Sequence, residues 1–280
     1  MPQAFAAERE PPDHILRRGE NRVRTILAVA SETFLRLRRD KVFLPALLIG
    51  IGLLGLTGLA SYWGVEEFFK ILYDLGTAAY LFTGSAVAIF WGNKIVSDSR
   101  QEGSLEVQLA SPIGRSSWLI GKFLGLSAAL VLLGVGFLIA WQGIYLSYGM
   151  GYMKGVDLLM FALLTMVWFV LAALSIFFAA LATQAVALFC SIWMFVCGLI
   201  SGPILQALSP ETPESTRKVV GVIAGIWNLH LFNISQTMSR YYIPEIPSDL
   251  GLRFGYGVLL CGFFLAAACL AFQKRDIIAS

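Results

Sequence analysis

Apolar residues in this chain gather into long runs, not into alternating or one-faced patterns. A helix that crosses a hydrocarbon layer about 30 Å thick needs roughly 20 mostly apolar residues at about 1.5 Å each. Six runs qualify: 43–63, 71–92, 119–141, 157–182, 185–206 and 253–272. The fourth and fifth are nearly continuous, and one helix over both would overrun the layer. A break at Ala182-Thr183-Gln184 is therefore predicted, which makes a tight hairpin. The predicted fold class is all-α integral membrane: six transmembrane helices within a transmembrane domain over 43–280, preceded by an N-terminal interfacial amphipathic helix, with a short re-entrant or outer helical segment before the last span.

Three pieces between and before the runs carry patterns of their own. Over 21–42, Val23, Leu27, Ala30, Phe34 and Leu37 recur at three- and four-residue steps, while Arg22, Arg36, Arg38 and Arg39 fall largely off that face. Such a basic amphipathic helix lies in the membrane interface, its arginines toward anionic headgroups, a reading that fits better than the alternative of a plain cytoplasmic extension of the first span. The second piece is the inner loop 93–118, punctuated by Gly103 and Pro112, which leave room for a short helix over 104–110. Leu105 and Leu109 form a small apolar ridge on that helix, suited either to a partner's groove or to folding back on the chain's own helix ends. The third is the outer segment 207–252, opened by Ser209-Pro210-Glu211-Thr212-Pro213 and closed by Ile243-Pro244-Glu245-Ile246-Pro247. Its moderately apolar stretch 219–238 is long enough to rival the six spans. Asn228, His230 and Asn233 interrupt it, however, and polar groups exposed to lipid cost free energy. A re-entrant or surface-lying helical pair fits better.

Composition and charge sharpen this picture. Of 280 residues, 57% are hydrophobic and 14% charged, against about 25% charged in soluble domains. A formal net charge of +3 gives no support to a nucleic-acid partner. Residues 1–20 are polar and lack the apolar core of a signal peptide, so they read as a flexible cytoplasmic tail. With the N-terminus inside, 15 of the 21 basic residues lie on the inner side, nine of them in the N-terminal region. That bias places both termini in the cytoplasm. Tyr62, Trp63, Trp91, Trp118, Trp141, Tyr145 and Tyr148 gather at span edges, where amphipathic rings prefer the headgroup level.

Little in the spans carries chemistry. No ionisable residue lies near a span centre, as ion-coupled carriers usually require. Asp74 and Asp157 sit near outer ends, where headgroups and water are expected to reach them. Only two histidines occur, His14 and His230, and Cys190, Cys197, Cys261 and Cys269 read as small apolar packing residues. No nucleotide-binding loop or hydrolase motif appears; no catalytic, cofactor or metal residue is assigned. Small residues do follow a pattern. Gly76, Gly84, Ala88 and Gly92 share one face of the second span, Gly121 with Gly125 and Gly198 with Gly202 repeat the spacing, and such faces let helices approach closely in lipid. They serve either a dimer seam or translocation path, or packing within the subunit.

The inner loop carries a resemblance. Arg100-Gln101-Glu102-Gly103-Ser104-Leu105-Glu106, then Leu109-Ala110-Ser111-Pro112-Ile113-Gly114-Arg115, then Ile120-Gly121-Lys122-Phe123-Leu124-Gly125 are similar to the cytoplasmic signature of type-2 ABC transporter permeases. The basic helix before span one, the Pro-interrupted outer segment and the end Phe272-Gln273-Lys274-Arg275-Asp276 agree. The organisation matches over most of 22–277, but only 100–125 is motif-grade. The run before Glu102 departs from the family's longer acidic stretch, reading Ser97-Asp98-Ser99-Arg100.

The resemblance implies a permease subunit that pairs with a second permease, identical or homologous, and with two ABC ATPase subunits. The ATPase binds ATP and Mg, and the chain itself is not an enzyme and holds no cofactor. It further implies that Glu102, Gly103, Ser104, Leu105, Glu106, Leu109, Pro112 and Arg115 form or shape a coupling helix docking into the ATPase. The helix over 22–41 would be the connecting helix beside it. Export across the cytoplasmic membrane of a bacterium is the direction and setting the family favours. Two other classes compete: a non-transporting membrane scaffold that tethers a cytoplasmic complex through the same loop, and an ion-coupled carrier or channel, which the charge-free span centres disfavour.

Overall fold

The computed structural model describes residues 13–63, 68–101, 114–149, 151–207, 214–234 and 248–274. These form α1 (Asp13–Arg38), α2 (Phe43–Trp63), α3 (Phe68–Gln101), α4 (Arg115–Ser147), α5 (Gly155–Leu181), α6 (Gln184–Ala207), α7 (Glu214–Ile226), a 3-10 turn (Leu229–Phe232) and α8 (Leu250–Lys274). Among the described residues there is no strand, and six helices are long and apolar enough to cross a membrane: α2, α3, α4, α5, α6 and α8. The predicted hairpin between the fourth and fifth spans turns at Ala182 and Thr183, where Ala182 leaves the helix with extended backbone.

α5 is the central helix. It packs against α3, α4, α6, α8 and the 3-10 turn, and Leu163, Val167, Trp168, Val170, Leu171, Ala173, Leu174 and Ile176 are buried around its whole circumference. Burial on all sides suits a helix that is apolar on all sides. α2, by contrast, exposes Leu44, Leu48, Leu53, Leu56 and Leu59 along one flank. Hydropathy alone does not separate these two helices, because lipid and a packed core accept the same side chains.

The glycine-rich face of α3 receives α5 along most of its length and α4 near its start. A Cβ added at Gly84 would fall inside the indole of Trp168, one at Gly76 inside that of Trp141, and one at Gly92 against Ser175 and the Ala172 carbonyl. Between them Tyr80 stacks on Trp168 at 4.2 Å between centroids, meets Phe137 and Phe161 edge-on, and shares a 2.7 Å hydroxyl contact with Thr165. Ala88 on the same face is fully buried. Gly121 and Gly125 of α4 accept α1 backbone and side chains (Ile26 carbonyl, Val29, Ala30 carbonyl, Thr33), and Gly198 and Gly202 of α6 accept Trp227, Leu229 and His230. All these small-residue faces are thus occupied from within one chain.

Several boundaries differ from the sequence expectation. α1 begins at Asp13, inside the stretch expected to be a flexible tail. Its packed face is Val29, Thr33 and Leu37, whereas Val23 and Leu27 of the predicted face are exposed; close approach at Gly121 and Gly125 sets the rotation, which helical periodicity cannot supply. α3 and α4 are 34 and 33 residues long, about 50 Å each, so both outrun the bilayer. α3 stays helical through much of the predicted loop because Ile95, Val96 and Ser99 find burial there. The expected short helix over 104–110 lies outside the described residues.

The stretch expected to rival the spans ends early. α7 has 13 residues, too few to cross, and the chain turns at Asn228. The polar groups that weakened it as a span close that turn. Asn228 Oδ1 accepts from the His230 N–H at 3.1 Å and from the Ser201 hydroxyl at 3.2 Å, and the Trp227 indole donates to the Met194 carbonyl at 2.7 Å. The turn therefore sits beside Met194–Gly202, well short of the end of α6, and Tyr256 of α8 donates to the Ile226 carbonyl at 2.8 Å from the other side.

Asp157 also departs from expectation. Instead of facing headgroups it is 1% exposed. The Tyr73 and Tyr145 hydroxyls donate to its two oxygens at 2.5 and 3.3 Å, and the Lys154 N–H donates at 2.9 Å. Placed three residues into α5, it satisfies a free N–H at the helix start while tying α3 and α4 to that start.

Candidate functional site at the basic end of the bundle

α1, the C-terminal end of α3, the start of α4 and the end of α8 meet at one end of the bundle, which we call the basic end. Trp118 of α4 stacks on Phe272 of α8 there, 5.7 Å between centroids. α1 stops at Arg38, and the turn to α2 is made by Asp40, whose Oδ1 accepts the Val42 N–H at 2.9 Å. This aspartate-centred turn lets the chain leave the line of α1 and enter the first span within a few residues.

The other carboxylate oxygen of Asp40 takes Lys94 Nζ at 2.6 Å, linking the α1–α2 turn to α3. One turn further along α3, Asp98 lies 3.8 Å from Arg36 of α1. Lys122 of α4 is only 3% exposed, yet sits 5.4 Å from the Trp118 ring centroid. Thr33, Arg36, Asp40, Lys94, Asp98 and Lys122 together wall a cavity of about 20 Å³, room for about one water. Two ion pairs thus tie the end of α3 to α1 and to the α1–α2 turn, and Lys122 of α4 lines the same cavity.

These links differ in weight. The Arg36 side chain is 48% exposed, so its pair with Asp98 belongs with surface ion pairs worth about 0–1 kcal/mol. Lys94 and Asp40 are 30% and 13% exposed with short geometry, and this is the stronger tie. Burial pushes the Asp40 carboxyl up, but the hydrogen bonds from Lys94 and the Val42 N–H, with the charges of Lys94 and Arg36, outweigh it and hold Asp40 below its ordinary value. A depressed carboxylate contributes stability that is complete above the unfolded value of about 3.9 and is lost as pH falls through the folded one. The junction is therefore expected to be insensitive to pH between 5 and 8 and to loosen below 4. Hydrogen exchange of residues 36–43 across that range reads it directly. Asp40→Asn should remove the acid step, and an identical step in both proteins would contradict the assignment.

The predicted functional residues divide around this junction. Arg36 belongs to it, Arg22, Arg38 and Arg39 point to the surroundings, and Arg115 is half-buried at the first position of α4. Glu102, Gly103, Ser104, Leu105, Glu106, Leu109 and Pro112 lie outside the described residues. Asp40, Lys94 and Asp98 were not singled out by sequence. The available signal was Lys122, a lysine four residues into an apolar run, because an ionisable side chain there needs a partner. The same local sequence explains its neighbour: Gly121 clears room for α1, and Lys122 then reaches the cavity that α1 helps to close.

Six apolar spanning helices, with a charged junction at one end of the bundle, define a multi-pass membrane protein. The chain belongs to the ABC-2 family transporter proteins, whose family model matches residues 27–277. It is a type-2 ABC transporter permease, a membrane transport component, and membership implies an ABC ATPase and a permease partner. A search of curated proteins found no match.

Proposed function

We propose that this chain is the transmembrane subunit of an ATP-driven exporter. Two permease subunits pair with two ATPase subunits, which bind ATP and Mg and supply the energy. The basic end faces the cytoplasm of a bacterium, and α7 with the 3-10 turn forms a re-entrant element in the opposite leaflet. The single observation that supports this reading best is the junction of Arg36, Asp40, Lys94, Asp98 and Lys122. It braces the connecting helix α1, the stem of α3 and the start of α4 as one unit. An ATPase that pushes on residues 102–113 would therefore move three helices together instead of bending a loop. Movement of a rigid group between two packings is how such domains switch access.

Co-expression with an ABC ATPase encoded beside this chain, followed by capture on a tag on the permease, tests the pairing. The expected result is an equimolar complex whose ATPase activity depends on the permease. Leu105→Asp or Glu102→Arg should reduce capture at least about tenfold, the scale of truncating a buried interface contact. A purified assembly that transports without any ATPase would overturn the proposal.

A further inference from the structure

α2 and α3 leave a groove between them that opens sideways from the bundle. Its section nearest the basic end has a volume of about 560 Å³ and is walled by Lys41, Pro45, Ile49, Phe82, Ala86 and Phe90. A second section of about 360 Å³ continues toward the other end past Leu53, Leu56 and Ala78. Phe82 borders both and divides them. The first section runs from Lys41 to Ile49, about 12 Å along the helix axis at 1.5 Å per residue. That is close to one leaflet, half of a hydrocarbon layer of about 30 Å.

We infer that the section between Lys41 and Phe82 holds one acyl chain of an anionic phospholipid, with the phosphate at Lys41. Its walls are apolar except Thr83 and Lys41, and the lysine is exposed just before the start of α2. Arg38, Arg39 and Lys41 are exposed together at that level. Among the described residues none of the three forms an ion pair, and the adjacent Asp40 is occupied by Lys94. An apolar slot one leaflet deep under a cluster of unneutralised cations matches a lipid with a negative headgroup. A second copy of the chain fits less well. Rotation about an axis along the membrane normal would bring Lys41, Arg38 and Arg39 to the same depth as their own counterparts, and like charges would face each other across the seam.

Native mass spectrometry of the full chain, purified in detergent and given equal amounts of phosphatidylglycerol and phosphatidylcholine, tests this. Wild type should retain one phosphatidylglycerol in preference to phosphatidylcholine. Lys41→Gln should reduce that preference about fivefold, the weight of one basic residue at an anionic membrane surface. Ala86→Trp fills the slot and should lower retention of both lipids. Equal retention of both lipids by wild type, or an unchanged preference in Lys41→Gln, would overturn the inference. So would a disulfide in Ala86→Cys between two copies that the parent chain does not form, since the slot would then be a subunit seam. The measurement does not depend on ATPase pairing or on orientation, so its failure is distinguishable from failure of the proposed function.

Discussion

Replacing Gly84 with leucine should cost the fold a large part of its stability. The residue sits under the Trp168 indole, and even a single Cβ there overlaps the ring. Trp168 cannot retreat, because it is fully buried, stacked on Tyr80 and carried by the central helix. Overpacking of a rigid core site usually costs about 1–3 kcal/mol, and with backbone and indole both fixed we expect about 3 kcal/mol. That lowers the folded-to-unfolded ratio roughly a hundredfold, a large share of the about 5–15 kcal/mol that holds a typical domain folded. Gly84→Ala should be milder but clearly measurable as a lower melting temperature in detergent. The decisive comparison is the double variant Gly84→Leu with Trp168→Ala. If the glycine exists to admit the indole, the two losses are strongly non-additive and the double variant is more stable than Gly84→Leu alone. Simple additivity, or a Gly84→Leu protein that melts with wild type, would place the function of this face elsewhere, such as in a seam between subunits.

Asp157→Ala is expected to be the next most damaging change. It deprives the Tyr73 and Tyr145 hydroxyls and the Lys154 N–H of their shared acceptor in one step. The two tyrosines remain 2.6 Å apart and can still bond each other, so part of the loss is recovered. Each buried group left without a partner costs about 1–3 kcal/mol, and a net loss of about 3 kcal/mol follows. Asp157→Asn keeps the shape and one acceptor and should lose about half as much, while Tyr145→Phe should lose about 1 kcal/mol. Hydrogen exchange would show the damage at the first turn of α5 and at Tyr73, with the basic end unaffected. An Asp157→Ala protein of wild-type stability and exchange would mean that the cluster serves something other than holding α3, α4 and α5 together.

How much was legible beforehand follows from what each signal encodes. α2 occupies the predicted 43–63 run, and the break after Leu181 falls where length demanded it, because bilayer thickness is an external ruler. The extension of α3 to Gln101 was not legible. Its residues 93–101 are polar enough to read as loop, and their partners lie far away in sequence: Asn93 reaches Ser191, Lys94 reaches Asp40 and Asp98 reaches Arg36. The junction itself was invisible for a related reason: Asp40, Lys94 and Lys122 are distant along the chain, and each alone looks like an ordinary charge flanking a span. The motif at Gly121-Lys122 pointed to that place without saying what it did there.

Sequence alone determined that this chain crosses a membrane six times and that its basic residues concentrate at one end. Both follow from transfer free energies summed over each segment, with no need to know which segment touches which. The family, too, was legible, since its signature is local. Tertiary structure decided which helix is central, which face of α1 is packed, that the small-residue faces close on the chain's own aromatics, and that Asp157 is buried. In lipid an apolar side chain is equally at home against a neighbouring helix or an acyl chain. Burial in the bundle therefore leaves no hydropathy signal, and only shape, a glycine meeting an indole or a lysine reaching a carboxylate, selects the partner.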